Sequence, residues 1–149
     1  MKIAVGLALL MTAGIAQAAQ DGATIYNRCA ACHTRTGAGV PGAYPPLGRD
    51  FRTLAAKPGG RRYLALAVIK GLNGPISVEG KAYRGMMPAQ GGLDDAGVAA
   101  VLNHVGGSIA SIGPVFKPFT DQEVAGYRVG GKALNAADVA KLHEGAGGK

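Results

Sequence analysis

The sequence predicts a single domain that is mainly helical, and three observations support this prediction. The chain has 149 residues, of which 48% are hydrophobic, which suffices for one core but not for two. Apolar residues recur at helical spacing in several segments, and stretches rich in glycine and proline separate these segments. With five tyrosines, three phenylalanines and no tryptophan, the chain has few large side chains. We therefore expect something other than side chains to fill part of the core.

The first 18 residues have the pattern of a secretory signal peptide. Lys2 precedes an apolar run, Ile3–Ala18, which ends in the small-residue sequence Ala16-Gln17-Ala18. An uncleaved membrane anchor is the alternative, but this run is shorter than the roughly 20 residues that span a bilayer. No cysteine lies near the cleavage point, which excludes a lipoprotein anchor. We predict an exported chain that begins at Ala19 and has no stable membrane insertion.

Between residues 19 and 106 the local signals predict three helices, a loop and a hairpin. Asp21 can cap a first helix that ends near Cys32. Asp94 can cap a last helix that ends near Val105, because two glycines follow. Residues 34–50 are rich in glycine and proline and predict an ordered loop. The other elements are a helix over Arg61–Lys70, ended by Gly71, and a hairpin formed by Ile76–Val78 and Lys81–Tyr83.

Residues 107–149 are predicted to form a short helical C-terminal extension. Thr120 and Glu123 match a capping box for a helix that ends near Tyr127, and Asn135 can cap another that ends near Gly145. The apolar stripe of this region predicts that it packs on the core, with Val124, Val139 and Leu142 as the buried residues. His143 lies in a polar tail, and we expect it to be solvated.

The formal net charge of +7 is concentrated in one half of the chain. Residues 28–84 carry ten Lys or Arg against Asp50 and Glu79, whereas residues 85–149 are close to neutral. Such a basic region can steer an acidic partner or cover an anionic cofactor, or it can be ordinary solvated charge. Nucleic-acid binding is excluded because the predicted signal peptide removes the chain from nucleic acid.

The two cysteines lie in the sequence Cys29-Ala-Ala-Cys32-His33. Two cysteines this close in an exported protein can form a redox-active disulfide. The adjacent histidine instead predicts a c-type haem site, in which both thiols bond covalently to the haem and the imidazole ligates the iron. A buried haem would also fill the core that the aromatic residues leave incomplete.

A second axial ligand of the iron has few candidates. Apart from His33 they are two histidines, His104 and His143, and two methionines, Met86 and Met87. His104 lies on a helix face with apolar neighbours, so we expect packing rather than ligation there. The methionines lie in a segment that we expect to be irregular, from which a thioether can reach the iron and raise its reduction potential. The alternative is that both methionines are core fillers.

Together these motifs resemble the bacterial class I cytochromes c over roughly residues 21–106. The resemblance implies an all-α class I cytochrome c fold, in which a few helices enclose a covalently bound haem. The small β-hairpin and the short helical C-terminal extension would be added to this core. The matching stretches are Gly22-x3-Tyr26, Cys29-Ala-Ala-Cys32-His33, Gly37-x-Gly39-Val-Pro41-Gly-Ala-Tyr-Pro45-Pro46-Leu47, Met87-Pro88 and Leu93-Asp-Asp-Ala-Gly-Val98-Ala-Ala-Val101-Leu102-Asn103.

The resemblance also implies which residues bind one haem c. Cys29 and Cys32 would be the thioether attachments, His33 the proximal iron ligand and Met87 the distal ligand. Met87 is preferred to Met86 because the family's ligand directly precedes a proline.

Further contacts with the haem follow from the same resemblance. The Pro45 carbonyl would accept a hydrogen bond from the ligand imidazole, and Leu47 would pack on the haem. Arg49 and Arg52 are candidates for pairing with its propionates.

The function that the resemblance implies is that of a periplasmic monohaem electron carrier, not an enzyme. Its expected partners are a periplasmic dehydrogenase and a terminal oxidase or reductase, with Arg28, Arg35 and Lys81 as candidate docking charges. A dedicated electron-transfer subunit of a dehydrogenase complex is one alternative. An open-site haem enzyme or gas sensor is the other, although in helical-bundle proteins of that kind the haem motif lies near the C-terminus.

Overall fold

A computed structural model describes residues 21–148, so the predicted signal peptide lies outside the described residues. The mainly helical prediction is confirmed within this range. In chain order the elements are α1 (Gly22–His33), α2 (Arg49–Ala55), α3 (Pro58–Lys70), β1 (Leu72–Asn73), β2 (Ile76–Val78), β3 (Lys81–Tyr83), β4 (Met86–Met87), α4 (Asp95–His104), a π-helical segment (Val105–Ile109), α5 (Asp121–Gly130) and α6 (Ala136–Gly145).

Helices α1 and α4 pack against each other, and glycine permits their close approach. The Asp21 carboxylate caps α1, as predicted, by accepting hydrogen bonds from the backbone N–H groups of the first turn. Gly22 lies so close to α4 that a Cβ there would collide with the Ala100 carbonyl. One turn later the Tyr26 ring lies 5.3 Å from the ring of His104, centroid to centroid. His104 is therefore a packing residue of this helix pair.

Helix α3 is the most buried helix and contacts α2, α4, α5 and α6. Its residues Ala65 and Leu66 are fully enclosed in the core. Pro58 occupies its first turn, where a missing N–H costs nothing, so the helix begins three residues before the predicted Arg61. Gly71 ends it at a φ of 73°. Because α3 has neighbours on several sides, its position sets the positions of the other helices.

Two expectations about helix ends are wrong. The loop over residues 34–50 ends at Gly48, because α2 begins at Arg49 without a side-chain cap that would have marked its start. The last core helix does not stop at Gly106 but continues as the π-helical segment to Ile109. A Cβ at Gly106 would collide with the Phe116 ring, so this glycine allows close packing instead of terminating the helix.

The predicted hairpin is confirmed, with Ile76 opposite Tyr83 and Val78 opposite Lys81. A second antiparallel pair, β1 with β4, was not expected. In this pair Leu72 lies opposite Met87 and Asn73 opposite Met86. The methionines thus occupy a short strand rather than an irregular segment, and the chain just after α3 holds that strand in place.

Helices α5 and α6 pack on α3, with further contacts from α5 to α4 and from α6 to the strands β1 and β2. Val124 and Val139 have no exposed surface, and Leu142 is half-buried. Asn135 and Asp138 complete a capping box at the start of α6. The box predicted for α5 is only half formed: the Thr120 hydroxyl accepts from the Glu123 N–H, but the Glu123 carboxylate binds elsewhere.

That carboxylate binds Arg61, a largely buried guanidinium that joins α3 to the C-terminal extension. Its Nε and Nη2 donate to Glu123 at 2.6 Å, and Nη1 donates to the carbonyls of Ala55 and Lys117. Nη2 also donates to the Pro118 carbonyl at 3.1 Å. The guanidinium also lies 3.8 Å from the centroid of the Phe119 ring. Its hydrogen bonds to Glu123 hold the pKa of that carboxyl below its usual value, so the pair stays charged at neutral pH.

We expect Arg61→Ala to lower the free energy of unfolding by about 3 kcal/mol, because Glu123 and three backbone carbonyls would lose a largely buried partner. Denaturant unfolding followed by far-ultraviolet circular dichroism measures this loss. The control is Arg62→Ala, which removes a half-buried side chain whose guanidinium donates to the Gly130 carbonyl at 3.3 Å and should cost under about 1 kcal/mol. Equal losses for the two variants would contradict the role given to Arg61.

Candidate haem site

A large cleft opens between the helices and the loop that follows α1. It contains about 1440 Å³ of empty space, including its open mouth. Apolar side chains from α1, α2, α3, the strands and α4 form most of its walls, among them Phe51, Leu64 and Val101. The six predicted site residues all line this one cleft: Cys29, Cys32, His33, Pro45, Leu47 and Met87.

Cys29 and Cys32 lie on the last turns of α1 as half-buried free thiols. Residues three apart on a helix lie on the same face, so both thiols are presented to the cleft together. Burial raises the pKa of the Cys29 thiol, and the nearby Arg28 charge opposes part of this shift. The pair therefore forms one edge of the cleft at which a ligand can be attached twice.

His33 ends α1 with a buried ring whose orientation is fixed by the following loop. Its Nδ1 donates to the Pro45 carbonyl at 2.9 Å, which leaves Nε2 with the free lone pair. Burial lowers the pKa of His33, with the Pro45 hydrogen bond opposing part of the shift, so the ring is neutral at neutral pH. A neutral, oriented imidazole is the form that ligates a metal.

The loop from Thr34 to Gly48 is ordered by its own hydrogen bonds. The Leu47 N–H donates to the Gly37 carbonyl at 2.7 Å, and the Gly39 N–H donates to the His33 carbonyl at 3.0 Å. From α1, the Tyr26 hydroxyl donates to the Thr34 carbonyl at 2.8 Å. These bonds fix Pro45 and Leu47 at the cleft wall, as the prediction of an ordered loop requires.

Met87 is half-buried in β4, whereas 70% of Met86 is exposed. The pairing with Leu72 fixes the position of Met87 along the strand pair at the cleft wall. Gly71 sets its lateral position, because the backbone there approaches the Met87 carbonyl so closely that a Cβ would collide with it. The end of α3 thus determines where this thioether lies.

The residues present fit a haem. Two thiols three residues apart match the two attachment points of haem c, and a neutral imidazole directly follows them. The mostly apolar walls suit a flat macrocycle that would complete the core. His33 and Met87 are the residues that could ligate the iron.

The prediction that His143 is solvated is wrong. Only 1% of His143 is exposed, and it lies on the cleft wall. Its Nε2 lies 2.8 Å from the Asp50 carboxylate, and its ring packs edge-on against Tyr63 at 5.1 Å between centroids. The sequence held a signal for this, because His143 follows the buried Val139 by four residues and so shares its helix face.

The basic residues are distributed mainly outside the cleft. Arg28 is exposed and lines its mouth. The Arg52 guanidinium lies 5.7 Å from the centroid of the Phe116 ring, and neither Arg52 nor Arg49 is on the cleft wall. Arg35 and Lys81 are exposed. Among residues 21–148, no helix has the length and apolar character needed to cross a membrane.

Comparisons with known proteins agree with this geometry. The family model for cytochrome c matches residues 19–108. A cytochrome c-552 of Thermus thermophilus is 45% identical over 124 residues, which cover 82% of this chain and 84% of the relative. A second Thermus thermophilus cytochrome c-552 is 46% identical over 110 residues, which cover 72% of this chain and 84% of the relative.

The match to the family covers the segment that contains the two thiols and the adjacent imidazole. The site therefore takes one covalently bound haem c, and the partners of the chain are redox proteins. The chain belongs to the cytochrome c family, as an electron-carrying c-type cytochrome with the class I fold.

Proposed function

We propose that this chain is an exported periplasmic monohaem cytochrome that carries single electrons through an iron ligated by His33 and Met87. The observation that carries the proposal is that a neutral, oriented imidazole and a half-buried thioether line the same cleft. With both axial positions occupied by protein, the iron has no open position for a substrate. An electron carrier is the function that such a closed site supports.

Each site residue has a distinct role in this proposal. Cys29 and Cys32 form thioether bonds that hold the haem at α1. His33 ligates through Nε2 while the Pro45 carbonyl fixes its ring, and Leu47 packs on the macrocycle. When bound, the haem supplies a one-electron iron couple.

Strand geometry supports Met87 over Met86 as the second ligand. Successive side chains of a strand point to opposite faces, so the two methionines cannot both point into the interior of the cleft. The 70% exposure of Met86 makes it the one that faces solvent. A thioether ligand favours the ferrous state and so raises the reduction potential.

The proposed partners are a periplasmic dehydrogenase as donor and a terminal oxidase or reductase as acceptor. Arg28 and the exposed Tyr44 and Met86 surround the mouth of the cleft and offer a mixed basic and apolar contact surface. Such charges orient an acidic partner and accelerate encounter more than they add affinity. Purification from the source cells tests the free-carrier proposal: elution alone supports it, and constant co-elution with a dehydrogenase would make the chain a dedicated subunit.

We expect Met87→Ala to lose the far-red absorption band of a sulfur-ligated ferric iron, to bind carbon monoxide in the ferrous state and to have a lower reduction potential. Met86→Ala is the matched control and should keep the band, because its side chain is exposed. Absorption spectra of both holoproteins measure these effects. A Met87→Ala variant that keeps the band would exclude Met87 as the ligand.

We expect Gly71→Ala to weaken the sulfur-ligated band, because a Cβ would displace the backbone at Met87. Gly80→Ala provides the control. Gly80 also has a positive φ, of 76°, but no atom lies within 4 Å of its added Cβ. Both variants carry the backbone strain of about 1 to 3 kcal/mol, so only Gly71→Ala should change the spectrum. Equal spectra in the two variants would show that Gly71 does not position Met87.

A further inference from the structure

His143 lies at both the haem cleft and a second pocket, which we call the outer pocket. It lies on α6 and is among the lining residues of both cavities. The outer pocket is formed by Pro75 and Ile76 near the strands and by Lys141 and Glu144 on α6 itself. A buried side chain in this position can exchange protons with solvent on one side and contact the cofactor on the other.

The two ring nitrogens of His143 have different surroundings. Nε2 lies 2.8 Å from the Asp50 carboxylate. Nδ1 is buried and has no hydrogen-bond partner among residues 21–148. A buried polar nitrogen without a partner is unfavourable, and this one belongs to a residue on the wall of a cleft that takes a haem. The ring therefore offers one nitrogen for a ligand group.

The ring of His143 has four titratable groups around it among the described residues: Asp50, Tyr63, Lys141 and Glu144. Tyr63, from α3, is a neutral phenol, because burial and then the Asp50 charge raise its pKa well above the usual range. Asp50, from α2, is a buried carboxylate in direct contact with the ring. Lys141 and Glu144 lie on α6 at the outer pocket, and the residues facing it from the strand side, Pro75 and Ile76, do not titrate.

The position of this group within the cleft suits the carboxylate edge of a haem. Cys29 and Cys32 attach the vinyl-bearing edge of the macrocycle at α1, and the two propionates lie on the edge away from the vinyl groups. Asp50, Tyr63 and His143 come instead from α2, α3 and α6. A propionate that reaches this wall would lie beside His143, whose Nδ1 has no hydrogen-bond partner among residues 21–148.

We propose that His143 binds a haem propionate, with its imidazolium held between that carboxylate and the carboxylate of Asp50. An imidazolium donates from both ring nitrogens, so one protonated ring can bridge two carboxylates. The C-terminal extension would thus contribute a positioning residue to the cofactor site. The inference rests on the proposed occupancy of this cleft by haem, but not on Met87 as the ligand.

A coupling between electron and proton follows from this arrangement. Reduction of the iron removes one positive charge from the site, which makes a nearby imidazolium more favourable. For each electron that the redox partner delivers, a His143 ring that is neutral in the ferric protein takes up at most one proton from water and becomes the imidazolium. The reduction potential of the holoprotein should therefore fall as the pH rises.

The test is the reduction potential of the holoprotein between pH 5 and pH 9, compared with those of His143→Gln and His143→Arg. We expect the wild-type reduction potential to fall as the pH rises. One coupled proton per electron changes the redox equilibrium tenfold per pH unit, so the slope is at most 59 mV per pH unit. Both variants should lose the part of this slope that His143 contributes. Of the two variants, His143→Arg should have the higher reduction potential because the arginine charge is permanent. A wild-type slope retained in either variant overturns the proposal.

A second readout separates this proposal from a purely structural role for His143. In the diamagnetic ferrous holoprotein at pH 6, nitrogen NMR of the His143 ring should show protons on both nitrogens. A neutral ring with a free lone pair on Nδ1 would overturn the proposal, even if the variants fail to fold. The sulfur-ligated absorption band should be present in all three proteins. Its absence from the wild type would refute Met87 ligation alone and leave the His143 test intact.

Discussion

The folded chain depends on filling a cleft that its own side chains leave open. A chain with eight aromatic residues among 149 has little bulk to place there, and the mostly apolar walls from four helices face the same empty volume. A covalently bound haem c supplies that bulk, so binding of the cofactor completes the core. The ring of His33 is then held in place by both the helix that carries it and the loop that follows.

Helix α3 and the elements joined to it place the opposite side of the site. Gly71 at its end sets the strand that carries Met87, and Arg61 near its start joins the helix to the C-terminal extension. The same extension returns to the cleft through His143, which meets Asp50 across 93 residues of sequence. The extension thus contributes His143 to the wall of the cleft, beside residues of α2 and α3.

The sequence predicted what local chemistry determines. Some signals act within a few residues: the caps at Asp21 and Asn135, the Glu79-Gly80 hairpin turn and the thiol–imidazole motif. The structure contains these caps and this turn. Helix α2 was not predicted because Gly48, the residue before it, has no side chain that could cap the helix. The partners of Glu123 and His143 lie 62 and 93 residues away, a separation at which no spacing rule operates. The preference for Met87 over Met86 came from the family resemblance, because the pairing of β4 with β1 could not be predicted from local spacing.

The most direct test of the proposed closed iron site is the absorption spectrum of the wild-type holoprotein, oxidised, reduced, and reduced under carbon monoxide. A closed site ligated by His33 and Met87 predicts a far-red sulfur-to-iron band in the ferric protein and no change on addition of carbon monoxide. A missing band together with ready carbon monoxide binding would contradict it, and would indicate an iron with one open position, suited to an enzyme or a gas sensor.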